Sequence, residues 1–167
     1  MTVADAPALT ELAVANREFL APWQPTREAD FFTLDGQRDA VASALSEFER
    51  GIAVPNVILD DGRIVGRVML SNIVRGPFQS CHLVYWVDSE RNGHGLATAA
   101  VRETVDLAFG QLGLHRVQAG TLLHNIGSQT VLERNGFVRF GIAPAYLQIA
   151  GSWQDHVLYQ ALNPSMP

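Results

Sequence analysis

The chain contains no lysine; all twelve basic residues are arginine. That excludes a phosphate-binding loop ending in Gly-Lys-Ser/Thr, and any Schiff base on a lysine amine. Cysteine is nearly absent. Cys81 stands alone, so the chain has no intrachain disulfide and no thiolate metal cluster, and no metal is expected. No apolar run approaches the roughly 18 residues that cross a bilayer, so no membrane partner is expected. The start, Met1-Thr2-Val3-Ala4-Asp5, lacks the basic stretch and apolar core of a signal peptide. Net positive charge is missing as well. A formal charge of −5 argues against direct nucleic-acid binding, but it leaves a cationic substrate open. No repeat, low-complexity tract or linker divides the sequence. Residues 1–167 therefore read as one cytoplasmic domain, monomeric or homodimeric.

With 47% apolar and only 17% charged residues, the chain has enough material for a core. A helical pattern runs from about Asp5 to Leu20, with Pro7 in its first turn, and Ala21-Pro22-Trp23-Gln24-Pro25 breaks it. A second helix covers roughly 33–51. Val54–Leu59 and Ile64–Asn72 read as strands joined by Asp60-Asp61-Gly62-Arg63, a hairpin signal. His82–Asp88 is a third strand. Leu96–Leu112 repeats its apolar residues at helical spacing, and Gly113 stops it. His115–Thr121 is strand-like, and Ile126–Asn135 is a short helix ended by Gly136. Phe137–Ile149 and Trp153–Leu162 form a closing antiparallel pair. This order predicts an α/β fold of the α+β type, with a mixed, mostly antiparallel sheet.

The most informative stretch is Arg91-Asn92-Gly93-His94-Gly95-Leu96-Ala97-Thr98. Two glycines form a turn between a strand and a helix. The first amides of a helix lack internal partners and carry partial positive charge, so such a turn can hold a pyrophosphate. A dinucleotide fold would need a third glycine where Thr98 stands, and would place the turn after the first strand. A loop that merely caps a helix remains the alternative.

Asn92-Gly93-His94-Gly95-Leu96-Ala97 resembles the acyl-CoA pyrophosphate loop of the GNAT N-acetyltransferase superfamily, with Asn92 where that loop has Arg or Gln. Tyr85-Trp86-Val87, Ala97-Thr98-Ala99-Ala100-Val101, Leu114-His115-Arg116-Val117, Asn125-x-x-Ser128, Leu132-Glu133-Arg134-Asn135-Gly136-Phe137 and Trp153-x-Asp155-His156 follow in the expected order. Together they are similar to the branch that acetylates the N-terminal alanine of ribosomal proteins. The resemblance implies a GNAT fold with splayed central strands, and acetyl-CoA as cofactor. The family's opening β-strand is expected to be short or missing here.

By that resemblance, Tyr85, Trp86 and Val87 line the pantetheine arm, and Val87 is a candidate oxyanion donor. Arg91, Asn92, Gly93, His94, Gly95, Leu96, Ala97 and Thr98 surround the pyrophosphate. Asn125 and Ser128 share a helix face; capping explains Asn125 on its own, while the resemblance makes it a cofactor contact and Ser128 the proton donor to the leaving thiolate. His82, Asp88 and Glu90 are left as candidate bases, with a core role the other reading of His82. Asp88 and Glu90 also read as turn residues, and Asp155-His156 as a hairpin-end hydrogen bond. His115-Arg116 is expected to close the central helix electrostatically. Trp23, Phe19, Arg75 and Tyr146 are candidates for the acceptor pocket. Cys81 is set aside as a nucleophile. The expected acceptor is a protein N-terminal amine. A small-molecule amine (an antibiotic or polyamine), a protein lysine, and a non-catalytic acyl-CoA-binding role are the alternatives.

Overall fold

The computed structural model describes residues 1–166. A 3-10 turn at Val3–Asp5 leads into α1 (Ala6–Ala15) and α2 (Arg17–Leu20), followed by α3 (Leu34–Glu49). Then come β1 (Val54–Asp60), β2 (Arg63–Val74), β3 (Ser80–Val87), α4 (Leu96–Gly110), β4 (Arg116–Leu122), α5 (Ile126–Arg134), β5 (Val138–Ile149) and β6 (Ser152–Leu162). Among the described residues no strand precedes α1.

The first helix differs from the sequence expectation. It breaks at Asn16, which is fully buried. Its amide turns back to Leu12 O (3.0 Å), and its Oδ1 accepts from the backbone N–H of Ser89 at 2.8 Å. A polar side chain that bonds its own preceding turn weakens helix continuation, and here it ties the first helices to the turn after β3.

The six strands form one sheet in the order β1-β2-β3-β4-β6-β5. Only β3 and β4 are parallel. Two two-residue hairpins close antiparallel pairs. Asp61-Gly62 joins β1 to β2, and Ala150-Gly151 joins β5 to β6; all four residues have positive φ. This is the turn whose twist matches the flanking strands.

Strand alternation sends side chains to opposite faces. On one face, Cys81, Leu83 and Val87 of β3 join Leu70 of β2, Val117 of β4 and Tyr159 of β6, and α4 packs over them with Val101, Val105 and Ala108. The other face carries Arg67, His82, Val84 and Trp86, with α1 and α3 above it.

The C-terminal end of α4 is closed by residues other than those expected. Asn163 donates to Leu114 O at 3.0 Å and Phe109 O at 3.4 Å, and Arg75 donates to Leu112 O at 2.6 Å. His115 contributes its backbone instead, pairing with Gln79 and Asn163.

Candidate active site

The sheet opens in its middle. β3 and β4 pair only over Ser80–His82 and Arg116–Gln118. Beyond that, Leu83–Val87 pairs with β2 alone, and Ala119–Leu122 with β6 alone. Asp88 N–H donates to Val65 O at 2.8 Å. In an antiparallel pair, alternate residues face the same neighbour. Trp86 and Val84 therefore direct their backbone groups toward β2, while Val87, Tyr85 and Leu83 direct theirs into the cleft.

The glycine turn lies at the mouth of this cleft. Asp88 caps a short 3-10 turn (Ser89–Arg91), and Gly95 then opens α4 in the left-handed region, with φ 81° and no side-chain cap. Ala99 N–H is the first amide of α4 to find an acceptor, at Gly95 O. Among the described residues, the N–H groups of Gly93, His94, Gly95, Leu96, Ala97 and Thr98 have none. Six consecutive free donors at a helix start fit a diphosphate, so the cradle and the cleft suit an acyl-CoA. Arg91 is engaged elsewhere, in an ion pair with Asp60 of β1 at 3.3 Å. Exposed His94 turns its Nδ1 to Arg91 O at 3.3 Å.

The α4 face of the cleft holds Tyr85 and Ser128. The Tyr85 hydroxyl lies 2.8 Å from Ser128 Oγ and donates to Ser128 O at 3.1 Å. Burial pushes the Tyr85 pKa up to about 12, although the bond from Ser128 opposes it. The phenol is therefore a neutral donor at physiological pH. Asn125 is the N-cap of α5, its Oδ1 accepting from Ser128 N–H at 3.1 Å. The capping role is the one the geometry shows, and it orients Ser128.

On the opposite face, His82 sits where β3 and β4 part, paired in register with Gln118. Its Nδ1 is buried without a hydrogen-bond partner among the described residues, and burial lowers its pKa. Trp23, in the 3-10 turn at Ala21–Trp23, rests against His124 with ring centroids 5.3 Å apart. Tyr146 packs at a tilt against buried His156, ring centroids 5.5 Å apart, and both lie over Gly120. The backbone of Gln24 accepts from Ala150 N–H at 3.2 Å, so the loop carrying Trp23 meets the β5–β6 hairpin over the cleft.

Two sequence candidates are not brought into this group. Arg75 follows β2 at the end of the sheet remote from the glycine turn, where it serves the C-terminal carbonyls of α4. Phe19 is exposed on α2, and it is its neighbour Leu20 that is buried. Asp155 makes its expected hairpin bond, accepting from Ala145 N–H at 2.8 Å. The Cys81 thiol is buried and its pKa is pushed up to about 12, so it is no nucleophile. Sequence reading passed over His124 and Arg67. Neither lies in a local motif; strand pairing and the long first loop bring them to the cleft.

The model of the acetyltransferase (GNAT) domain matches residues 1–138. The chain is 37% identical to the "Probable N-acetyltransferase YjcK" of Bacillus subtilis (strain 168), over 98% of this chain and 92% of that protein. Among solved structures, it is similar to ribosomal-protein-S5-alanine acetyltransferase from Vibrio fischeri, with TM-score 0.94 and 36% identity over 100% of this chain and 92% of the other. It is also similar to Mycobacterium smegmatis RimJ in complex with CoA-disulfide, with TM-score 0.95 and 31% identity over 100% of this chain and 81% of the other.

Proposed function

The chain belongs to the GNAT acetyltransferase family and is an acetyl-CoA-dependent N-acetyltransferase; from that premise we propose that its acceptor is a protein N-terminal amine, specifically the alanine of a ribosomal protein. The relative that acts on ribosomal protein S5 supports the acceptor, since its likeness extends along the whole chain. Amine chemistry supports it too. An α-amino group has a pKa near 8, so a sizeable minority is neutral at physiological pH, whereas a lysine amine near 10.4 would need stronger assistance. The side chain on the acceptor face at the register where β3 and β4 separate is His82, whose pKa burial lowers.

The observation that carries the reading is the division of labour across the sheet. His82 is on one face, and Ser128 with Tyr85 is on the other. Bound acetyl-CoA supplies a thioester carbonyl for the amine to attack and a thiolate to leave. Attack and departure need a base and an acid on opposite sides of the reacting carbon. His82, neutral at pH 7, accepts the proton from the amine at Nε2, the ring nitrogen opposite the buried Nδ1. Ser128 Oγ donates toward the departing sulfur and recovers a proton from the Tyr85 hydroxyl, which takes one back from solvent when the products leave. A thiol with a pKa near 8.5 is a fair leaving group, so a weak acid suffices. Val87 lies five residues along β3 from His82, roughly 16 Å at a strand's rise, so its cleft-facing amide meets the pantetheine arm rather than the reacting carbonyl. Asn125 holds Ser128 in place, and Trp23 and Tyr146 wall the acceptor channel. A ribosomal acceptor puts the reaction in the cytoplasm.

The test compares thiol release from acetyl-CoA with peptides beginning in alanine, with an aminoglycoside, with a polyamine, and with no acceptor. Mass spectrometry then locates the acetyl group. Acetylation of the peptide α-amine at a rate well above the other amines is expected; turnover confined to the small molecules would overturn the acceptor assignment.

A further inference from the structure

Beside the acceptor channel lies a recess that the transfer chemistry does not use. Arg67 of β2 stands opposite Trp86 of β3 in register, on the His82 face. Phe31, Phe32, Gln24 and Gln37 complete the walls around this pair. A second guanidinium, that of Arg27, stacks over the Phe31 ring at 4.6 Å, and a third, that of Arg17, over Phe32 at 4.4 Å. The ion pairs among the described residues are Arg38–Asp35 and Arg91–Asp60, so none of these three arginines has a carboxylate within reach. Glu28 and Asp30, on the same segment as Arg27, are exposed and form no pair with it.

The Arg67 backbone belongs to the sheet ladder, while its guanidinium makes no hydrogen bond or ion pair to any described residue. Burial, and then the charge of Arg27, both lower its pKa. A partly buried guanidinium beside a second cation is unfavourable unless an anion compensates it. The chain as a whole is acidic at −5, so this local excess of positive charge runs against its average. Phe31 and Phe32 hold the flanking guanidinium planes while leaving their N–H edges free. Trp86 belongs both to this recess and to the strip His82–Val84–Trp86 beneath the acceptor.

We propose that Arg67, flanked by Arg27, is a specificity site that binds a carboxylate side chain near the start of the acceptor peptide. The site deepens the N-terminal acetylation reading and rests on it. A strand rises about 3.3 Å per residue, and Arg67 is aligned with Trp86, four residues along β3 from His82. After allowing for the reach of an arginine side chain, the carboxylate falls roughly at the second to fourth acceptor residue. A planar guanidinium with free edges discriminates a carboxylate from its amide by charge and by paired hydrogen bonds.

The experiment uses the full chain and C-terminally amidated peptides that begin with alanine and carry Glu or Gln at residue two, three or four. The ratio of kcat/KM for Glu over Gln is measured in the wild type, in Arg67→Gln and in Arg67→Lys. At one position, the wild type is expected to prefer Glu by about tenfold or more. Arg67→Gln brings the ratio close to one, Arg67→Lys keeps part of it, and the KM for acetyl-CoA stays unchanged in both. Equal use of Glu and Gln at every position overturns the proposal. So does an Arg67→Gln variant that weakens acetyl-CoA and leaves peptide preference intact, since the arginine then serves a cofactor phosphate. Binding of the N-acetylated peptides to the CoA-loaded protein, followed by tryptophan fluorescence, separates this site from the acceptor reading. If no peptide is turned over, a Glu preference in binding still supports the recess, and none refutes it.

Discussion

The Tyr85 hydroxyl lies 2.8 Å from Ser128 Oγ and 3.1 Å from Ser128 O, joining β3 to the first turn of α5 across the cleft. With its pKa pushed up to about 12, Tyr85 keeps its proton and donates. Ser128 alone would be a poor acid; paired with a neutral phenol it can give up a proton and recover one. Ser128→Ala should lower kcat by about tenfold or more while changing the acetyl-CoA dissociation constant little. Tyr85→Phe should reproduce most of that loss, and the double variant should be little worse than Ser128→Ala, because groups acting as a unit are non-additive. Steady-state kinetics and calorimetric titration of acetyl-CoA check this. If Ser128→Ala changes affinity alone, the serine is a binding residue.

His82 gives a pH prediction whose sign follows from burial. Its folded pKa lies below the ordinary 6.5 because burial disfavours the imidazolium. At saturating acceptor, kcat should therefore hold as pH falls to 6.5 and decline only below it. The kcat/KM profile keeps a separate limb near pH 8, from the free amine of the acceptor. His82→Asn should remove the low-pH limb and cost about 10²-fold in kcat. The same group acts on stability. Charging a histidine that the fold keeps neutral favours the unfolded chain, so the wild type loses stability as pH drops below 6.5, and His82→Asn loses less. An unchanged low-pH limb in the variant would assign the base elsewhere.

What could be read from the chain, and what could not, follows from how far each signal extends. The hairpin at Asp61-Gly62 was legible because a two-residue loop needs both residues at positive φ, and this dipeptide supplies them. The glycine turn was legible for a related reason: a left-handed residue at the helix entry and six free amides are local features. The break at Asn16 was not, since the second bond that holds its side chain there comes from Ser89, far along the chain. Arg75 read as an acceptor residue because it sits in a loop of Arg, Gly, Pro and Phe; only the fold shows that its partner is Leu112 O. Arg67 carried no signal of its own in the sequence. Its significance depends on Trp86 beside it and on Phe31 above it, a coincidence of three segments that no periodicity encodes.

Gly95 tests the pyrophosphate cradle. A Cβ there would meet no protein atom within 4 Å, so the protein itself leaves room for a side chain. The cost comes from φ 81°, which an L-residue adopts at about 1–2 kcal/mol, and from the phosphates the side chain would face. Gly95→Ala should fold with a slightly lowered Tm and weakened acetyl-CoA binding. Gly95→Val, branched at the same atom, should abolish detectable binding while circular dichroism stays native. Undiminished uptake by the valine variant would undo the loop assignment.

Asn135 links the two cofactor-facing helices. Its Nδ2 donates to Thr98 O at 3.2 Å and to Val131 O at 2.9 Å, so the end of α5 is tied to the first turn of α4. The rest of the Leu132–Phe137 run anchors this tie. Leu132 and Phe137 are buried, Glu133 accepts from Tyr159 at 3.1 Å, and Gly136 turns the chain at φ 76°. The sequence run that resembles the family is thus structural, and acts on the site by setting the distance between Ser128 and the glycine turn. Asn135→Ala should remove two hydrogen bonds and cost about 1–3 kcal/mol of stability, read by denaturant unfolding. Because Asn135 Oδ1 is buried without a partner, Asn135→Asp should be worse, placing a charge where nothing compensates it. Acetyl-CoA binding should weaken in both variants, with kcat falling further in the aspartate one. A stability loss with cofactor affinity unchanged would show that the glycine turn holds its shape without α5.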